Sequence, residues 1–132
     1  MLSQECVREL RSCWLPNLTD SGLDRVIELL EQGSPLLVRG CFTRAVPMGC
    51  LATQAAWHHP RTAHLTVDAG ITWLHHVAGL NPATSHVLAE WDRTGPTEVL
   101  TRLELLEHFK EERLARRRQR RRPNRLGGRV GV

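Results

Sequence analysis

Apolar residues recur along this chain at helical spacing, and strand-like alternation is nearly absent. Cys6, Val7, Leu10, Cys13 and Trp14 fall at i, i+1, i+4, i+7 and i+8, one stripe of a helix over about 3–14 that Pro16-Asn17 breaks. Ser21 is the expected cap of a second helix, with Asp24 at the capping-box position, Leu23, Val26, Ile27 and Leu30 buried, and Gly33 as a left-handed stop. Residues 34–46 are the one non-helical candidate. Leu36-Leu37-Val38 and Cys41-Phe42-Thr43 flank Arg39-Gly40 as a short hairpin near 36–43, or as an apolar loop that must lie on the helices.

Pro47 suits the first turn of a third helix running to about Trp57. Thr66 is the expected cap of a fourth, with Ile71, Leu74, Val77 and Ala78 facing inward and Gly79 closing it. Asn81-Pro82 opens a short fifth helix with Val87, Leu88 and Trp91 buried. The sixth and longest starts near Thr97 and carries Val99, Leu103, Leu106 and Phe109 or Lys110 along its seam. The expected fold is all-α, a small bundle of five or six helices without internal repeats.

Charge divides the chain. Residues 1–109 carry eight basic and twelve acidic side chains, whereas 110–132 carry ten basic and two acidic. The expected organisation is a helical globular domain over 1–112 and an arginine-rich tail over 113–132, helical to about 122 and disordered after Pro123. Extending the sixth seam by helical steps reaches Arg113, Arg116, Arg117, Arg120 and Arg121, with Glu112 to Arg116 a favourable i,i+4 pair. A charge cluster this dense calls for a polyanion, an acidic protein surface or plain solvent. Arg113, Arg116, Arg117, Arg118, Arg120, Arg121, Arg122 and Arg125 are the candidate phosphate-binding residues. No aromatic is interleaved among them, so backbone contact rather than base stacking is expected. Lys110 is the only lysine against seventeen arginines. Arginine's planar fork suits bidentate phosphate binding, and a GC-rich coding bias gives the same substitution everywhere.

The remaining chemistry is sparse. Cys6 and Cys13 stand about 10.5 Å apart along one helix, beyond the roughly 7 Å reach of a disulfide. No Cys-x-x-Cys occurs, and free, mostly buried thiols are expected. Cys50 is expected in a helix's first turn, where the dipole can depress a thiol pKa; a buried structural cysteine is the simpler reading. Seven histidines, His58, His59, His64, His75, His76, His86 and His108, invite a metal reading. Adjacent histidines on a helix point about 100° apart, so at most one of each pair can serve a shared site. His-Glu-x-x-His, Gly-x-Gly-x-x-Gly and Gly-x-Ser-x-Gly are all absent, and no catalytic residue, metal or cofactor is assigned. The four tryptophans, Trp14, Trp57, Trp73 and Trp91, are expected in the core, each needing an acceptor for its indole N–H. No apolar run approaches the roughly 20 residues of a membrane span, and neither a basic n-region nor an apolar h-region opens the chain, so a cytoplasmic protein is expected.

Ala45-Val46-Pro47-Met48-Gly49-Cys50-Leu51-Ala52, followed by Trp91-Asp92-Arg93-Thr94 and Glu98-Val99-Leu100-x-x-Leu103, resembles a pattern of small bacterial and phage helical proteins of unknown function. In that pattern a cysteine-containing helix start precedes a Trp-Asn-Asp segment and a final Glu-Val-Leu helix. Here Gly49 precedes the cysteine, and Asp92 follows Trp91 directly. The resemblance implies a helical fold and carries over no functional residue.

The leading expectation is a non-enzymatic helical protein binding RNA or DNA phosphates through its C-terminal arginines. One rival is a phage- or defence-related adaptor docking on an acidic protein. The other is a small metalloenzyme using the histidines.

Overall fold

The computed structural model describes residues 1–95 and 98–121, and six α-helices form among them. They are α1 Gln4–Glu9, α2 Asp20–Gln32, α3 Leu51–Ala56, α4 Ala69–Thr72, α5 His86–Thr94 and α6 Val99–Arg121. The first helix runs on through a π turn, Leu10–Trp14, and a 3₁₀ turn, Leu15–Asn17; α4 continues as a π turn, Trp73–Val77. The expected all-α bundle is the observed fold, and no strand forms among the described residues.

The bundle is assembled around α3. Between Ala45 and Trp57 the sequence has no charged residue, and all six residues of α3 are buried. A helix without a polar face must be covered on every side, and α2, α4 and α5 all pack against it. Small residues let the backbones close in. A Cβ on Gly70 of α4 would lie 2.3 Å from Thr53 Oγ1, so only glycine fits at that crossing. Trp14, Trp73, Trp91 and Phe109 are fully buried among the aliphatic side chains, and Trp14 meets Trp73 edge to face at 5.3 Å between ring centroids. Three indoles find acceptors: Trp14 in Glu9, Trp57 in the Leu65 carbonyl and Trp91 in the Val38 carbonyl. Trp73 Nε1 has none among the described residues.

Several boundaries differ from the sequence reading. Thr19, not Ser21, caps α2: its hydroxyl accepts from Gly22 N at 3.0 Å and donates to the His58 carbonyl. Gly33 stops that helix at φ 58°, as expected. No hairpin forms at 36–43. Leu36 and Val38 instead bond Gly49, while Phe42 bonds Cys50 and Arg44 bonds Met48. Both passes thus pair with 48–50 rather than with each other, and Gln54 fastens the loop by donating to the Leu36 and Pro47 carbonyls. This pairing consumes the backbone of 48–50, so α3 starts at Leu51 with Cys50 as its cap residue rather than at Pro47. Asp68, not Thr66, precedes α4, and Ile71 faces solvent at 41% exposure. Asn81-Pro82 opens only a 3₁₀ turn; Ser85 caps α5, whose Val87, Leu88 and Trp91 are buried as expected.

The seam of α6 is rotated from the expected one. Val99 and Leu103 are exposed, and Thr101, Leu105, Leu106 and Phe109 are buried. That rotation decides which arginines face the body.

Candidate nucleic-acid interface

The α6 helix lies antiparallel against α2, and the sequence places carboxylates along the exposed edge of α2. Lys110 pairs with Glu31 at 2.9 Å, Arg113 with Asp24 at 3.5 Å, and both Arg116 and Arg120 with Asp20 at 2.9 and 2.7 Å. The ascending order on one helix and descending order on the other make a charge ladder. Counting about 100° per residue from Phe109, Arg113, Arg116 and Arg120 fall within about 40° of the seam. Arg117, Arg121 and Arg118 lie about 80°, 120° and 180° away.

The eight candidate arginines therefore separate. Arg116 is the most enclosed, with its side chain 18% exposed. Its Nε donates to Glu112 at 2.7 Å, the i,i+4 pair expected from the sequence, and its Nη2 donates to the Leu15 and Leu18 carbonyls at 2.7 and 2.8 Å. Those carbonyls close the first helix, so this guanidinium seals a helix end. Burial works against its charge, but the carboxylates of Glu112 and Asp20 hold the net shift upward. Arg113 is half-buried, and Arg120 is exposed with one bond to Asp20. The hydrogen bond from Arg116 holds the Asp20 carboxyl below its ordinary range, against some desolvation, and Arg120 adds to the effect. Arg117, Arg118 and Arg121 are exposed and make no hydrogen bond or ion pair among the described residues. Arg122 and Arg125, and the expected disorder after Pro123, lie outside the described residues.

A seam through Val99 and Leu103 would put Arg117 and Arg121 on the same stripe as Arg116. The signal that separates them is the buried pair Leu105 and Phe109, four residues apart, which continues to Arg113, Arg116 and Arg120.

The other candidate chemistries are placed as follows. The four cysteines are free thiols. Burial pushes the Cys50 thiol up to about 11, opposite to the shift a nucleophile needs, with weaker opposing hydrogen bonds from Thr53 and Ala52. Burial likewise raises Cys6 to about 12, assisted by Glu90, Glu9 and Glu104. His58, His64, His75, His76 and His86 are exposed, and His59 and His108 half-buried. The His75 and His76 rings stand 4.5 Å apart, yet no three His, Cys, Asp or Glu side chains converge as metal ligands among the described residues. An open groove beside Ile71, Leu80 and Asn81 has His75 as the titratable residue in its lining. No described helix is long and apolar enough to cross a membrane. No family model, curated protein or solved structure matches this chain.

Proposed function

We propose that this protein is a non-enzymatic binder of nucleic-acid phosphates, and that Arg117, Arg118 and Arg121 on the outer side of α6 carry the contact. The observation behind this reading is three adjacent, exposed guanidinium groups without a protein partner among the described residues, at the end of a 23-residue helix. Their helix is held in place by the burial of Leu105, Leu106 and Phe109 and by the bonds of Arg116, so the row is presented on a fixed element rather than a loop. Arg122 and Arg125 belong to the proposal through the sequence alone. The contacts are to backbone oxygens, because no aromatic neighbours the arginines to stack a base. A cytoplasmic setting, where the four thiols stay reduced, is part of the proposal.

The ladder itself favours a second reading. Arg113, Arg116 and Arg120 already donate to carboxylates, so an acidic protein surface offers the outer row equivalent chemistry. Titration of the purified full chain with labelled RNA, single-stranded DNA and duplex DNA across a salt series tests the first reading. Phosphate binding makes log K fall linearly with log salt, by about 0.9 per neutralised phosphate on duplex and about 0.7 on a single strand. Failure to bind any of the three oligonucleotides, together with a cellular partner retained after nuclease treatment, supports the adaptor instead.

A further inference from the structure

We infer that the carboxylates of Asp20 and Asp24 act as internal phosphate substitutes that occupy Arg120 and Arg113, so that α2 limits how many arginines of α6 reach an external polyanion. The inference rests on the phosphate-binding reading above and adds its regulation.

The contacts around α6 are graded. Arg116 is bound by two carboxylates and two backbone carbonyls and is largely enclosed, so it stays where it is. Arg120 is 59% exposed and holds one oxygen of Asp20, itself 60% exposed. If Arg120 turns to a phosphate, Asp20 keeps Arg116 on its other oxygen and no charge is stranded. Arg113 spans 3.5 Å to Asp24, a carboxylate 60% exposed that water can resolvate at once. Both exchanges replace one charge-assisted contact by another, so neither breaks the α2–α6 packing. These pairs contribute little to folding, but each must be given up before its arginine can neutralise a phosphate, so the aspartates compete with the polyanion. Among the described residues, the outcome is three arginines always available, Arg117, Arg118 and Arg121, and two in reserve behind carboxylates.

The test uses the full chain and fluorescence anisotropy with a labelled 20-nucleotide oligothymidylate over a salt series. Asp20→Asn and Asp24→Asn are each compared with Asp68→Asn. Asp68 is an exposed carboxylate before α4 that makes no cap bond, and its loss alters net charge equally. Release of one arginine steepens the slope by about 0.7, which at 0.1 M salt is about a fivefold gain in affinity. Asp20→Asn and Asp24→Asn should each show that gain over Asp68→Asn, and Asp20→Asn/Arg120→Gln should return to the wild-type value. Circular dichroism accompanies each titration, and either aspartate variant can carry the test if the other fails to fold. If both aspartate variants match Asp68→Asn while Arg117→Gln/Arg118→Gln/Arg121→Gln flattens the wild-type slope by about 2, the internal competition is wrong and the phosphate-binding reading stands. If the wild-type chain does not bind at all, both fall together.

Discussion

Arg39 and Arg61 from loops, and Arg102 and Arg116 from α6, donate to carbonyls at the C-terminal end of a helix: α5, the π turn after α4, α2 and the first helix respectively. A helix leaves its last carbonyls unpaired and its C-terminus partly negative, and a guanidinium meets both needs. Part of the arginine bias thus has a structural cause that composition could not separate from phosphate binding. Glu9 does the converse. Its buried carboxylate accepts from His86 N, Val87 N, the Ser85 hydroxyl and Trp14 Nε1, joining the first helix to the N-terminus of α5. No spacing rule marks Glu9, because Ser85 lies 76 residues away. Glu9→Ala should therefore cost about 3 kcal/mol in urea denaturation, since it orphans several buried donors at once; a loss below about 1 kcal/mol would refute its capping role. His108 gives a pH signature. Burial first, then the charge of Arg11, lowers its pKa below 6.5 against the pull of Glu111, Glu104 and Glu107, and Arg11 Nε donates to its Nδ1 at 3.0 Å. Burial and Arg61 lower His59 in the same direction. The unfolded chain then binds more protons, so stability is full above about pH 6.5 and declines as pH falls through that value toward the folded pKa. The melting temperature should drop between pH 7.5 and 5.5, and drop less in His108→Gln. A rise on acidification would contradict the assignment.

At the scale of elements, periodicity exposed what a one-sided helix must show. The stripes of the first helix, α2 and α5 were legible, as was Gly33 at the stop, because each helix buries a single face. The position of α3 was not, because backbone pairing between residues far apart in the loop fixes its start at Leu51. The α6 seam was misread for a related reason: apolar Val99 and Leu103 stand in solvent while Thr101 is buried. The same rotation brings Arg116, in the arginine-rich segment, onto the end of the first helix. A chain ending at Glu112, or Arg116→Gln, should lose about 1–2 kcal/mol, because the Leu15 and Leu18 carbonyls lose their donor. Equal stability of both variants and the full protein would mean the Arg116 contacts contribute nothing.

For the whole molecule, the acidic body and the described part of the basic segment, up to Arg121, meet in one packing interface where α2 lies against α6. The histidines stay outside this scheme. A structural metal would couple its binding energy to folding, so chelator treatment of untagged protein should leave the melting temperature within about 1 °C; a larger fall would restore the metal reading. The division between inward and outward arginines is tested most directly by measuring melting temperature and oligonucleotide salt slope on the same two variants. Arg117→Gln/Arg118→Gln/Arg121→Gln should flatten the slope by about 2 on single-stranded DNA and leave the melting temperature within about 2 °C. Arg116→Gln should lower the melting temperature by about 4–8 °C and leave the slope unchanged. A triple variant that keeps the wild-type slope, or an Arg116→Gln chain that loses binding without losing stability, would contradict the division.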